Sequence, residues 1–224
     1  MVDISFFESE FFAVCVQGCA LVLTIGFFLT GSITCMKIHH QKSVKNVNFL
    51  PYLTAFLNTF LWFVYGSLKK DSLLIFVNSV GCILQAGYIF VFIQNCDKKQ
   101  YYIKRVFTLG FTCFCVLVVA EFGHIFFDTL LVLAWMACAV SVLMFGSPLS
   151  TVREVIRTKN AETISFPLSI MTCLTTISWF IYGSLKHDNF VRFPNALGFI
   201  LGLSQIYFIN KFKIQKLIGT NLNV

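Results

Sequence analysis

Charge is scarce in this chain. Only 12% of its 224 residues are Asp, Glu, Lys or Arg, about half of what a soluble globular domain carries. By contrast, 57% are hydrophobic and 27 are Phe. There is no room for a sizeable soluble domain either. Seven apolar runs, about 11–33, 49–68, 73–94, 105–121, 128–149, 165–185 and 190–210, take up most of the sequence. Each is long enough to cross a hydrocarbon layer of about 30 Å as a helix, the form that satisfies its own backbone where no water can. Acids are missing from the middles of these runs, since every Asp and Glu falls in a tail, a loop or a helix end. Proton-driven carriers usually need an ionisable group within the membrane, so an uncoupled process is expected. Membrane-depth His clusters, paired acids and a Ser-His arrangement are lacking as well. His39, His40, His124 and His187 sit in loops or at helix ends, and Cys113-Phe-Cys115 has no partner spacing for a metal. No catalytic residue, metal or cofactor is expected, and the chain does not read as an enzyme.

The net charge of +7 could suggest nucleic acid, but its distribution argues against that partner. Lys37, Lys42, Lys45, Lys98, Lys99, Lys104, Arg105, Arg153, Arg157, Lys159, Lys211, Lys213 and Lys216 fall on one set of alternate helix ends, against Lys69, Lys70, Lys186 and Arg192 on the other. This is the positive-inside asymmetry of a protein whose partner is the lipid bilayer. It places the N-terminus, with Asp3, Glu8 and Glu10, on the extracellular or lumenal side and the C-terminus in the cytosol. The first run reads as a span rather than a cleaved signal, because its leader is acidic and the run is long. Of nine Cys, seven lie within spans and Cys35 and Cys96 at cytosolic ends, so they read as small apolar fillers.

What is present is a passage written twice. Trp62–Asn78, WFVYGSLKKDSLLIFVN, returns 117 residues later as WFIYGSLKHDNFVRFPN, Trp179–Asn195. The same offset, without a gap, pairs Thr34 with Thr151, Lys42 with Lys159, Phe49 with Phe166, Gly81 with Gly198 and Leu84 with Leu201. The repeat spans about 30–93 against 147–210, so the chain is two copies of a three-helix unit. Helix four, about 105–121, has no twin. Two three-helix units in direct succession would face opposite ways in the membrane, and one extra crossing makes them parallel.

In chain order, helix one is expected to end at Thr30-Gly31-Ser32 and helix five at Ser147-Pro148-Leu149, each loosened near its cytosolic end because Gly weakens a helix and Pro removes a backbone donor. Either ordinary packing kinks or flexing points would explain them. Helices two and six open at Pro51 and Pro167, which suits a first turn. Asn58 and Trp62 are four residues apart on one helix face. Trp62 and Asn78 each lie about six residues from the outer ends of their helices, roughly 9 Å deep and level with one another. Trp179 and Asn195 obey the same arithmetic. Interfacial Trp and interhelical Asn bonds are the ordinary uses of such residues, yet both recur in both copies.

Together, SPLSTVREVIRTKNAETISFPLS, the two Trp-x-x-Tyr-Gly segments, VNSVG at 77–81 and PNALG at 194–198 make the chain resemble the SWEET family of sugar transporters over nearly its whole length. The resemblance implies an all-α membrane protein with seven transmembrane helices, two parallel three-helix bundles joined by an inversion linker helix, an arrangement for which this family is itself a standard example. It implies facilitated movement of mono- or disaccharides by alternating access, and homo-oligomers are common in the family. Carried across by position, Trp62, Asn78, Trp179 and Asn195 would bind sugar, with Asn58 beside them. The chemistry of these residues agrees: a sugar is a ring of hydroxyls with apolar C–H faces, so it needs amides that donate and accept plus flat aromatic surfaces. Two Asn and two Trp supply both, and the volume of paired indoles favours a monosaccharide such as glucose over a disaccharide. Pro51, Pro148 and Pro167 would form the cytosolic hinge and gate with Gly31, which stands where plant members have a fourth proline, as in animal members. Tyr65 and Asp188 would form the outer gate. Arg192, four residues after Asp188, could pair with it along the helix or snorkel to the outer surface.

The expected domains are residues 1–96 as the first bundle, 97–127 as the linker helix with its loops, 128–210 as the second bundle and 211–224 as a short basic tail. A seven-helix receptor shares the topology but would not repeat as three plus three. An amino-acid carrier of the related PQ-loop architecture is the nearer alternative, although Thr30-Gly31 and Ser147-Pro148 occupy the sites where the Pro-Gln dipeptide would stand. Plasma membrane and Golgi both suit the sequence.

Overall fold

A computed structural model of the chain describes residues 4–45 and 47–221, with side chains for 10–45 and 47–212. Asp3, Glu8, Lys213 and Lys216, invoked above for charge asymmetry, lie outside the described side chains. Among the described residues there are eight α-helices and no strand: α1 Ile4–Gln41, α2 Leu50–Lys69, α3 Ser72–Gln94, α4 Lys99–Phe122, α5 Thr129–Met144, α6 Gly146–Thr158, α7 Phe166–Leu185 and α8 Asn189–Asn221. Every apolar run is helical. Five stretches, Glu10–Gln41, Ser72–Gln94, Lys99–Ile125, Thr129–Thr158 and Phe166–Leu185, are long and apolar enough to cross a membrane by length and composition.

Two expected helix ends are corrected. The first helix does not stop at Gly31 but runs on to Gln41, because one interior Gly costs only about 1 kcal/mol relative to Ala. The fifth run does not end at Pro148. It breaks one turn earlier, with α5 finishing at Met144 and α6 starting at Gly146. Pro148 has no N–H for the carbonyl four residues back, which is that of Met144, and its ring crowds the same carbonyl. Pro148 then lies inside the first turn of α6, where a missing donor does no harm. Pro51 and Pro167 stand in the first turns of α2 and α7, as the sequence suggests.

The 117-residue repeat is legible in the backbone. The non-glycine residues with positive φ among those described are Lys42 and Lys159, at 50° and 56°, and Lys70 and His187, at 55° and 51°. These are two twin pairs. Lys70 and His187 end the turns between α2 and α3 and between α7 and α8, and the next residues, Asp71 and Asp188, donate their N–H to Gly66 and Gly183 at 2.9 and 2.7 Å. Each aspartate then caps the following helix: Asp71 accepts from Leu74 N–H at 3.1 Å, and Asp188 from Phe190 and Val191 N–H at 3.0 and 3.2 Å. The glycine of each Tyr-Gly pair is required by close approach. A Cβ on Gly66 would lie 2.7 Å from Leu74 Cβ, and one on Gly183 would lie 3.1 Å from Val191 Cβ, and those two partners are themselves twins.

Packing groups the described chain into two compact units, one of residues up to 23 and from 145 on, the other of residues 24–144. In the second, α3 and α5 both pack on α2, over a core of Ile38, Phe49, Leu53, Ile89, Phe92 and Cys96. In the first, α7 packs on α8, and Val152, Val155, Ile164, Leu201 and Phe212 form a core. Ile38 and Val155, both fully buried, are twins. α4 buries only Val116 and presents Phe107, Phe111 and Phe114 outward, as a lipid-facing linker should. All nine Cys are free thiols; Cys35, Cys96, Cys138 and Cys173 are buried fillers, whereas Cys15, Cys19 and Cys115 are exposed on helix surfaces and fill nothing.

Candidate functional site

In the unit of residues 24–144, α2 and α3 carry the first set of expected site residues. Trp62 is buried, at 8% exposure, and its indole N–H donates to Ser141 Oγ at 3.0 Å. Ser141 Oγ lies 2.7 Å from Asn58 Oδ1 and 2.9 Å from Ala137 O. A hydroxyl has one proton, so Ser141 accepts from the indole while donating to one of these two oxygens. Asn58 and Trp62, one turn apart, are thereby held from α5 by one side chain. With Asn58 Oδ1 turned toward Ser141, its amide nitrogen is the group left to donate elsewhere. Asn78, also buried, donates to Leu74 O at 2.9 Å, leaving its own carbonyl oxygen and a second N–H. The Tyr65 ring meets Trp62 edge-on, centroids 5.5 Å apart at 86°, and fixes the indole plane.

The other unit repeats this geometry in its own residues. Trp179 and Tyr182 meet edge-on at 5.4 Å and 87°, and Asn195 donates to Val191 O at 2.7 Å. Lysine ammoniums one turn beyond each tyrosine lie over its ring, Lys69 at 5.7 Å from Tyr65 and Lys186 at 5.9 Å from Tyr182. Matching distances at twin positions show that the repeat extends to side-chain placement. The copies part company at Thr175, the twin of Asn58, whose buried Oγ1 has no hydrogen-bond partner.

Of the expected gate residues, Tyr65 is fully buried against Trp62 and Asp188 is a buried helix cap. Pro51 and Pro167 are exposed helix starters, Pro148 is half-buried, and Gly31 lies against the Tyr88 ring. Arg192 donates to Asn189 Oδ1 at 3.0 Å and lies 5.7 Å from the Phe180 ring centroid, so its charge is held at the start of α8. A cleft of about 300 Å³ is lined by Glu10, Ala13, Gln17, Tyr182, Leu185 and Lys186; it lies at the N-terminal part of α1 and the C-terminal end of α7 and holds none of the paired Trp or Asn. Among the described residues no group of His, Cys, Asp and Glu could hold a metal ion.

Sequence reasoning missed Ser141. The signal was there: its twin is Thr24, another hydroxyl at the same offset.

Comparison with known proteins agrees with this duplication. A family model described as "Sugar efflux transporter for intercellular exchange" matches residues 14–100 and again 131–217. The human "Sugar transporter SWEET1" is 32% identical over 204 residues, covering 88% of this chain and 90% of that protein. The rice "Bidirectional sugar transporter SWEET15" is 32% identical over 205 residues, covering 87% of this chain, which spans only 62% of that longer relative. Among solved structures, a eukaryotic SWEET transporter superposes with a TM-score of 0.80 at 29% identity, covering 90% of this chain and 96% of that one.

Proposed function

The chain belongs to the SWEET family, and from that premise we propose that it is a facilitative sugar carrier, a uniporter that moves a monosaccharide such as glucose by alternating access. The single observation that carries the reading is the duplicated set of an indole, an edge-on tyrosine and a carboxamide tied to its own helix, in Trp62, Tyr65 and Asn78 and in Trp179, Tyr182 and Asn195. Each Asn uses one N–H on its own helix and keeps a carbonyl oxygen for a hydroxyl donor. Each indole offers an apolar face to sugar C–H groups. Trp62, Asn78, Trp179 and Asn195 are the proposed sugar contacts with Asn58 beside them, Gly31, Pro51, Pro148 and Pro167 the cytosolic hinge and gate, and Tyr65 and Asp188 the outer gate. The separate matches at 14–100 and 131–217 support bundles at 1–96 and 128–210, with α4 in the linking segment.

Uncoupled transport is supported by where the acids stand. Asp71, Asp128 and Asp188 accept backbone N–H bonds at helix starts, and Glu154 is exposed and paired with Arg157 at 2.8 Å. The proposed orientation has the N-terminus extracellular or lumenal and the C-terminus cytosolic, in the plasma membrane or the Golgi, with homo-oligomers as the working form. The test is uptake of labelled glucose, sucrose and an amino acid into liposomes holding pure protein, with and without a pH gradient. Glucose uptake that stops at equilibrium is the expected result. Preference for sucrose or the amino acid, or uphill accumulation driven by the gradient, would refute the corresponding part.

A further inference from the structure

Three adjacent carbonyls in the middle of α1 each receive a hydroxyl. Thr30 Oγ1 donates to Phe27 O at 2.7 Å, Tyr88 Oη to Phe28 O at 3.0 Å and Ser32 Oγ to Leu29 O at 2.5 Å. In a continuous helix these oxygens already accept the N–H groups of Gly31, Ser32 and Ile33. Local back-bonding by Ser and Thr is common in this chain, as at Thr54, Thr59 and Thr176. What sets this stretch apart is that the middle donor reaches over from another helix, α3. The Tyr88 ring can do so only because residue 31 is glycine. A Cβ there would come within 2.5 Å of the ring.

The twin stretch in the other copy is built differently. There Pro148 stands for Gly31 and Gln205 for Tyr88, and the helix is already broken, at Phe145. A proline removes one N–H for good. Glycine with three hydroxyls leaves every N–H bond in place yet supplies a second donor to each carbonyl that would lose its partner if the helix bent. In a membrane, an orphaned carbonyl is the main cost of opening a helix turn, about several kcal/mol.

We propose that residues 27–33 of α1 are a reversible hinge, in which the hydroxyls of Thr30, Tyr88 and Ser32 stand in for the backbone donors of Gly31, Ser32 and Ile33 each time the helix bends. Tyr88 is thus a positioning residue of the transport cycle, doing by hydrogen bond what a proline does by omission. The hinge rests on the alternating-access reading, since only a carrier that changes shape has use for it. A carbonyl accepts two donors, so in the straight helix the hydroxyl is an extra bond, whereas in the bent helix it is the remaining one. Its removal therefore raises the bent state more than the straight one.

The experiment is hydrogen exchange, read by mass spectrometry, on the full chain in lipid nanodiscs, with Tyr88→Phe, which keeps the ring and drops the hydroxyl, and with Thr30→Val and Ser32→Ala. Amide exchange over 27–36 is expected to slow by roughly threefold to tenfold in Tyr88→Phe, and further in the triple variant. Maximal glucose flux should fall with it while half-saturation stays within about twofold. Thr30→Ser, which retains a hydroxyl, should exchange like the parent. Gly31→Ala should slow exchange both by pushing the ring off Phe28 O and by raising helix propensity, so Tyr88→Phe should slow it less in that background than in the parent. Unchanged or faster exchange in Tyr88→Phe, or full additivity with Gly31→Ala, would overturn the hinge. If exchange moves as expected but no variant carries glucose, the hinge stands and the sugar assignment falls; if glucose is carried and exchange is indifferent to the hydroxyls, the hinge alone falls.

Discussion

Ser141→Ala removes the one side chain that holds both Trp62 and Asn58. The indole N–H loses its acceptor at 3.0 Å and Asn58 Oδ1 a donor at 2.7 Å. A neutral hydrogen bond contributes about 0.5–1.5 kcal/mol net, and a donor left without a partner away from water costs about 1–3 kcal/mol. Trp62 is 8% exposed, so water compensates poorly. The indole then either stays in place with an orphaned N–H or swings toward another acceptor, and either outcome degrades the surface proposed for a sugar ring. A loss of about 1–2 kcal/mol corresponds to roughly fivefold to thirtyfold weaker half-saturation by glucose. Measured in proteoliposomes, half-saturation should rise by that much in Ser141→Ala and by far less in Ser141→Thr, which keeps the hydroxyl. Half-saturation at the parent value in Ser141→Ala, with the protein folded, would refute the claim that this hydroxyl sets the indole.

Replacing Asn78 and Asn195 together by Ala should abolish saturable hexose flux while thermal unfolding moves only slightly, because each amide is otherwise tied to its own helix; intact flux would sink the assignment. Gly66→Ala places a methyl 2.7 Å from Leu74 Cβ and 3.2 Å from the Ile75 backbone nitrogen, and should destabilise by about 1–3 kcal/mol, seen as a lower thermal midpoint. Burial pushes the Cys96 thiol above its ordinary range, with Lys99 pulling it back and Asp97 adding to the rise. Since the thiolate is the reactive form, Cys96 should alkylate slowly at neutral pH and faster as pH rises; fast labelling at neutral pH would contradict its burial.

Much of the fold could be read before any coordinates, because the repeat constrains it twice. Trp62 and Trp179 sit in matching surroundings because the residues around them, Tyr65 and Tyr182 in particular, were duplicated along with them. Helix ends were harder. Pro148 breaks its helix at the carbonyl it deprives, four residues upstream, so the visible residue and the visible break do not coincide. Gly31 invites the opposite error, since the residue that packs on it and donates to the Phe28 carbonyl, Tyr88, is 57 positions away in sequence. Ser141 escaped notice for a similar reason. Its partners Trp62 and Asn58 are on another helix, and a lone Ser in an apolar run has no local pattern to announce it.

The positions where the two copies disagree are as informative as those where they agree. A hexose has no twofold axis, so copies proposed to share its recognition have reason to differ at its contacts. The copies differ at most positions of the repeat, and two of those differences fall on a hydrogen-bonding group and on a helix turn. Asn58, with its oxygen engaged by Ser141, offers donors, whereas Thr175 in the same place carries a buried hydroxyl with no partner. Gly31 and Tyr88 keep a helix whole where Pro148 and Gln205 accompany a break. Exchanging Asn58 and Thr175 for one another should therefore alter sugar half-saturation and leave maximal flux nearly unchanged, whereas exchanging the Gly31 and Tyr88 pair for proline and glutamine should do the reverse. If both exchanges moved the same kinetic parameter, the division between recognition and bending would be wrong.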